Sequence, residues 1–194
     1  MNSLSDNQVL LYEEPVQEKI RKFIKIEFLL SKIYHFKGKE NKNDNYVALL
    51  SLCELYEILS RSDIKSELIR EVENHNSYFL KIKDLSGIRA DENKLNSVLE
   101  KQNMLLQLIH SVEQNYLDYL EKDILFKTII KNSHTQLQPA SIEFWLSRDI
   151  LIRETQIDLW LEPLQFIKRS IDFILEVIRK SGKFEDRMAE KGFF

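Results

Sequence analysis

Long stretches of this chain pass without a glycine or a proline, and this scarcity is the feature that most restricts its fold. Four Gly and three Pro occur among 194 residues, so few positions interrupt a regular backbone. Between them, apolar side chains return every three or four residues, the spacing of one helix face. We therefore predict a mainly α fold, a compact bundle of about seven or eight helices with little or no β-strand.

The chain is long enough for one sizeable core and too short for two independent ones, so residues 1–194 are predicted to form a single helical domain. The first helix is expected to begin at Pro15, and the longest to cover 95–116. Leu50 and Leu68 are placed on buried apolar faces. Trp145 and Trp160 are interpreted as core residues rather than a ligand cage. Breaks are predicted at 37–44, 84–91, 132–140 and Gly182.

Several function classes are disfavoured by composition. The single cysteine, Cys53, lies among leucines and is predicted to be a buried thiol, so neither a disulfide nor a cysteine metal site is expected. Glu71 and His75 share a helix face, but two ligands do not make a metal site. No grouping of Ser, Cys or His indicates a nucleophile. We therefore predict no enzyme activity, no cofactor and no metal.

The formal net charge of −3 argues against a broad nucleic-acid-binding surface. No stretch approaches the roughly 18 uncharged apolar residues that a membrane span needs, and the N-terminus has no leader pattern. The protein is therefore expected to be cytoplasmic, without a nucleic-acid or membrane partner. A local basic face is nevertheless predicted on the first helix, where Arg21, Lys22 and Lys25 lie outside the apolar stripe.

Three blocks of the sequence, spread over nearly the whole chain, together carry a family signature. The first contains Leu11, Tyr12, Glu13, Pro15, Glu18, Arg21, Lys25, Ile26 and Glu27. The second is RSDIKSEL at 61–68, and the third joins Trp145, Trp160 and VIRKS at 177–181 to Gly192 and Phe193. In these blocks the chain resembles the ZapD family of Z-ring-associated cell division proteins.

The resemblance implies a division factor that binds the tubulin-like protein FtsZ and bundles its protofilaments, enhancing Z-ring assembly. Family members act as dimers, located at mid-cell with the division ring, and a positively charged pocket receives the C-terminal tail of FtsZ. The family's fold joins a helical domain to a β-strand domain. This chain is expected to lack most of the β-strand domain, with 182–194 as a remnant leading toward it.

The partner-binding residues implied by the resemblance are only partly retained. Lys25 keeps a basic family position, and Arg21 lies one helical turn before it. Ile124 and Glu143 stand where the family has a basic residue and a histidine. The candidate partner-binding residues are Arg21, Lys22, Lys25, Lys122 and Lys127, the last two supplying charge near Ile124. The alternatives left open are a helical enzyme with a buried site, which no polar grouping supports, and a degenerate member that dimerises but binds FtsZ weakly or not at all.

Overall fold

The structure, a computed structural model, describes residues 13, 15, 17–84, 92–133 and 140–181, and these residues contain helices and no β-strand. The prediction of a mainly α fold is confirmed. The described residues contain nine α-helices and one 3₁₀ turn, where about seven or eight helices were predicted. The helices are α1 Glu18–Phe36, α2 Lys42–Ser60, α3 Ile64–Asp84, α4 Glu92–Ser111, α5 Asp118–Lys122, α6 Ile124–Asn132, α7 Ala140–Leu146, α8 Ile150–Leu161 and α9 Gln165–Ser181, with the 3₁₀ turn Glu162–Leu164 between α8 and α9.

The central layer of the bundle is formed by α2, α1 and α9. Helix α1 packs between α2 and α9, while α9 also contacts α3 and α4, and α2 contacts α6 and α7. Helices α1 and α9 each bury an apolar face, as their three-and-four spacing predicts. The buried residues of α1 are Ile20, Phe23, Ile26, Leu29, Leu30 and Ile33.

Helix α2 is buried on more than one side, because α1 covers one face and α6 and α7 cover another. Leu49, Leu52 and Leu55 are at most 1% exposed. Cys53 lies among them, and burial raises the pKa of its thiol to about 12. The placement of Leu50 in the core is wrong in degree, since its side chain is only half-buried.

Asp123 connects α6 to α8 through the hydrogen bonds that its carboxylate accepts. Its carboxylate accepts from the Phe126 backbone N–H at 2.8 Å, which caps α6, and from the Trp160 indole N–H at 3.1 Å. Trp160 also stacks on Trp145 with ring centroids 6.4 Å apart, and both tryptophans are buried. Their interpretation as core residues is confirmed.

The helix predicted over 95–116 ends earlier, at Ser111, and α3 with 21 residues is longer than α4 with 20. The Val112 carbonyl accepts a hydrogen bond from the Lys65 ammonium on α3. The Val112 carbonyl is therefore bonded to a side chain of α3 and not to a backbone N–H of a further helical turn. The segment that follows bends back and reaches α5.

The start of α1 also differs from the prediction, because the helix begins at Glu18 and not at Pro15. Glu13, which precedes this helix, pairs with Arg179 of α9. Arg179 also binds both carboxylate oxygens of Glu27 at 2.7 Å, and its hydrogen bond lowers the pKa of Glu13. This ion pair joins the segment before α1 to α9.

Four predicted features lie wholly or mostly outside the described residues: the turn at 84–91, the break at 132–140, the end of the last helix at Gly182, and the segment 182–194. Among the helices that the structure describes, none is long and apolar enough to cross a bilayer.

Candidate partner-binding surface

The outer face of α1 carries a stripe of basic side chains with one aromatic ring among them. Arg21, Lys25, Phe28 and Lys32 follow one another at intervals of four, three and four residues, which places them on one side of the helix. Arg21, Lys25 and Phe28 are exposed, and Lys32 is half-buried. We call these four residues the α1 stripe.

Phe28 was not among the residues predicted for the site. Its side chain is 60% exposed, although the opposite face of the same helix is buried in the core. The sequence spacing already indicated that Phe28 shares this side of the helix, because Phe28 lies three residues after Lys25 and seven after Arg21. The stripe therefore offers both positive charge and an apolar contact.

The predicted basic residues of α1 do not all face the same way. Lys22 binds both oxygens of Glu67 on α3, at 2.7 and 3.0 Å, and is half-buried there. Lys22 therefore lies on the side of α1 that faces α3, away from the α1 stripe. Lys19 makes the equivalent contact with Glu71.

Arg21 and Lys25 keep more of their binding capacity. The Arg21 Nε donates to the Pro15 carbonyl at 2.8 Å, and this is the one hydrogen bond of its guanidinium within the described chain. Lys25 lies 2.5 Å from Glu54 on α2, in a pair whose side chains are 50% and 47% exposed. Exposed pairs of this kind are worth about 0–1 kcal/mol, so a stronger anionic ligand can compete for Lys25.

Lys122 and Lys127 lie at a second place, near the junction of α5 and α6. Lys127 lines an open pocket of about 330 Å³, and Lys122 pairs with Asp118 at 3.6 Å on the exposed side of α5. Lysines at the rim give the pocket positive charge, while Glu121 contributes one carboxylate. The pocket is lined by Tyr56, Leu120, Glu121, Phe126, Lys127, Ile130 and Lys131.

Glu121 is already engaged, because the Tyr56 hydroxyl donates to it at 2.8 Å. Burial, together with this hydrogen bond, raises the pKa of Tyr56 to about 12. The hydroxyl therefore stays protonated at neutral pH and keeps donating to the carboxylate. The positive charge of Lys127 is not offset by an ion pair within the described residues.

The structure does not bring the five predicted residues together. Lys25 reaches α2 at Glu54, whereas the pocket is on the side of α2 that carries Tyr56. Two successive steps of about 100° separate these positions around the helix, so they face nearly opposite directions. The α1 stripe and the pocket are separate surfaces. Ile124, 83% exposed, and Glu143, also exposed, supply no positive charge to either.

The cluster of Lys19, Glu71 and His75 behind the α1 stripe predicts a pH response. Burial lowers the pKa of His75 below its ordinary value of 6.5, although Glu71, 3.7 Å away, favours the charged form. The unfolded chain then binds more protons, so stability contributed by neutral His75 is present above about pH 6.5 and is lost as pH falls.

We expect His75→Leu to reduce the change in melting temperature between pH 7.5 and 5.5. An NMR titration that gave His75 a pKa of 6.5 or above would contradict this.

No group of three or more His, Cys, Asp or Glu side chains suited to a metal ion occurs in the described part of the chain. The two surfaces are suited to binding. The α1 stripe suits an anionic, partly apolar segment, and the pocket suits a smaller group.

Comparison with known proteins identifies the family. The family model for ZapD, described as a cell division protein, matches residues 24–194. Cell division protein ZapD of Azoarcus sp. strain BH72 is 29% identical over 193 residues, which cover 96% of this chain and 75% of the relative. The same protein of Aromatoleum aromaticum is 28% identical, covering 96% of this chain and 74% of the relative. That of Pectobacterium carotovorum is 25% identical, covering 97% and 76%.

The matched region includes Lys25, Phe28 and Lys32 of the α1 stripe, as well as Lys122 and Lys127 near the pocket. Since the match spans most of the residues of the chain, it is not carried by one short motif. This chain belongs to the ZapD family of cell division proteins.

Proposed function

We propose that this protein binds the C-terminal tail of FtsZ through the α1 stripe and cross-links FtsZ protofilaments as a dimer. The observation that carries the proposal is the row of Arg21, Lys25, Phe28 and Lys32, of which the first three are exposed. Family membership supports the role in division. The binding step is inferred from the stripe together with the resemblance of the first helix to the family's docking helix.

The chemistry of the stripe fits a short acidic peptide with an apolar residue. The four stripe residues span 12 positions and extend about 16 Å along the helix, the length of roughly five extended residues. Carboxylates of such a peptide would bind the Arg21 guanidinium bidentately. An apolar side chain would cover the exposed ring of Phe28. Lys25 would exchange Glu54 for a carboxylate of the peptide.

Lys122 and Lys127 are assigned a secondary role in this proposal. Their surface faces away from the α1 stripe, so one short peptide does not span both. The positive rim of the pocket attracts the same acidic partner less specifically. A bound dimer would localise at mid-cell, with the division ring, because its binding sites on FtsZ are concentrated there.

Because a dimer is bivalent, its binding to FtsZ also cross-links the filaments into bundles. A dimer offers two α1 stripes, and once one tail is bound the second binds at a high effective concentration, which raises avidity without any new contact. A monomer with the same stripe would coat filaments and leave them separate.

The Phe28 ring provides the experiment for the peptide-binding step. Phe28→Ala is expected to weaken binding of a fluorescently labelled FtsZ tail peptide about five- to thirtyfold, since burying an aromatic ring contributes about 1–2 kcal/mol. Because Phe28 is 60% exposed, the melting temperature should change little. Fluorescence anisotropy measures the binding.

Tyr78→Ala is a matched control, because Tyr78 on α3 is also 60% exposed and lies away from the α1 stripe. It should leave peptide binding unchanged. Equal losses in the two variants would contradict docking on the stripe. Failure of the unsubstituted chain to bind the peptide would favour the second candidate, a family member that does not bind FtsZ. The carboxylate partners already present on Lys22, Lys25 and Lys122 are the observation that favours it.

A further inference from the structure

The guanidinium of Arg153, in the first turn of α8, is buried without an acidic partner among the described residues. Arg153 is only 4% exposed. Its Nε and Nη1 groups have no hydrogen-bond partner, and its Nη2 donates to the Glu40 carbonyl at a long 3.4 Å. The adjacent Glu154 pairs with Lys37 instead, at 3.5 Å. Buried charges are ordinarily paired, because an unpaired charge loses its hydration without compensation. Arg153 therefore lacks the anion that its position requires.

A second buried side chain beside the same loop lacks a donor. Asn45, in the first turn of α2, is fully buried, and its Nδ2 donates to the carbonyls of Lys39 at 2.6 Å and Asn41 at 3.3 Å. These contacts fix the orientation of the amide, since a carbonyl can only accept. The Asn45 Oδ1 is left without a partner. Asn45 and Arg153 bind the carbonyls of successive residues, 39 and 40, so the two side chains meet beneath one short loop.

This loop, residues 37–41, joins α1 to α2 and covers both side chains. Arg153 reaches the loop at Glu40, which immediately precedes Asn41, the N-cap residue of α2. Helix α2 has 19 residues and begins at Lys42, so the positive end of its dipole lies beside the Arg153 guanidinium. Glu40 and Asn41 are exposed. The junction of the loop, α2 and α8 thus combines a buried cation, an unpaired acceptor and a helix N-terminus.

We propose that this junction binds a small oxyanion that carries a proton, such as hydrogen phosphate. Arg153 donates to oxygens of the ion along one edge of its guanidinium, the geometry in which arginine binds phosphate. Its Nη2 exchanges the Glu40 carbonyl for one of these oxygens. The P–OH group of the ion donates to the Asn45 Oδ1, and the N-terminus of α2 favours the negative charge. The ion reaches Arg153 when the exposed loop lifts from α8.

The unpaired acceptor of Asn45 distinguishes between possible occupants. Hydrogen phosphate keeps a proton at neutral pH and can donate it to the Asn45 Oδ1. Sulfate carries no proton at this pH, so it would place a second acceptor against the first. A water molecule would pair with the Asn45 Oδ1 but would leave the charge of Arg153 uncompensated. Only a protonated oxyanion meets both requirements.

The inference is independent of FtsZ binding, because Arg153 and Asn45 lie beyond the last turn of α1 and outside the α1 stripe. A bound ion would hold the loop against α8 and so join the end of α1 to that helix. Phosphate binding can therefore be measured on the full chain without FtsZ.

Thermal unfolding of the full chain in phosphate, sulfate and chloride at equal ionic strength tests the site. Phosphate should raise the melting temperature by about 3–6 °C when its free concentration is ten times its dissociation constant. Sulfate should give less than half of this rise. Cations on the surface bind both anions alike, so this difference separates the buried site from surface binding.

Arg153→Met should abolish the additional rise in melting temperature that phosphate gives over sulfate. Arg148→Met is the matched control, because the Arg148 guanidinium is exposed and stacks on Phe144, 5.5 Å from the ring centroid. The control variant should respond to phosphate as the unsubstituted chain does. Equal losses in the two variants would contradict a site at Arg153.

An NMR titration of the unsubstituted chain gives a second readout that does not depend on how well Arg153→Met folds. Saturating phosphate should shift the Arg153 Nε–H resonance and slow its exchange with water at least tenfold, while the Arg148 Nε–H stays unchanged. Three results would overturn the proposal: no saturable response to phosphate, an equal response to sulfate, or an Arg153 Nε–H resonance that phosphate does not move.

Discussion

Replacing Leu68 by alanine is expected to lower the free energy of unfolding by roughly 2–5 kcal/mol, the range for truncating a leucine in a packed core. Leu68 is fully buried on α3, and α3 contacts both α4 and α9. The cavity would therefore form where three helices meet. Urea denaturation followed by circular dichroism measures the loss.

Leu50→Ala is the matched control, because the same atoms are removed from a side chain that is only half-buried. Its cost should be less than half that of Leu68→Ala, since less apolar area returns to water. A loss below about 0.5 kcal/mol for Leu68→Ala, the range of ordinary surface changes, would mean that α3 does not pack as described.

The second large effect is expected from reversing the two exposed cations of the α1 stripe. Arg21→Glu combined with Lys25→Glu should weaken binding of the FtsZ tail peptide at least tenfold and abolish FtsZ bundling at low salt. Two attractions become two repulsions, and Lys25→Glu also leaves Glu54 beside a like charge. Because Arg21 and Lys25 are exposed, the helical spectrum and the melting temperature should change little.

Arg70→Glu combined with Lys81→Glu is the control for net charge. Both residues are exposed on α3, so this variant carries the same change in charge on another surface and should still bundle FtsZ. Raising the salt from about 50 to 300 mM shortens the Debye length from about 14 to about 6 Å. Bundling by the unsubstituted chain should therefore decrease over this range. Equal bundling by both double variants at low salt would exclude Arg21 and Lys25 from the docking surface.

Local sequence patterns predicted the elements of this fold more accurately than their ends. The apolar face of α1 and the apolar run around Cys53 both follow from the spacing of residues within one helix. A sequence shows that spacing directly. The end of α4 depends on Lys65, which lies 47 residues before the carbonyl that it binds. The error over Leu50 has the same origin, because how deeply a helix face is buried depends on which other helices cover it.

The candidate site could likewise be predicted only in part from the sequence. That α1 carries exposed cations could be read from the sequence. The sequence could not show which of these cations remain available, because the acids that pair with Lys22 and Lys25 belong to α3 and α2. Glu67 lies 45 residues from Lys22 along the chain, and only the packing of the helices brings the two together. The separation of Lys122 and Lys127 from the α1 stripe likewise follows from which side of α2 each surface occupies.

Co-sedimentation with FtsZ filaments tests the central claim of binding most directly. With FtsZ assembled in the presence of GTP at about 50 mM salt, the unsubstituted chain is expected to pellet with the filaments, and electron microscopy of the pellet should show bundles. A chain that remains in the supernatant at every FtsZ concentration, while the filaments themselves pellet normally, would contradict the proposed function.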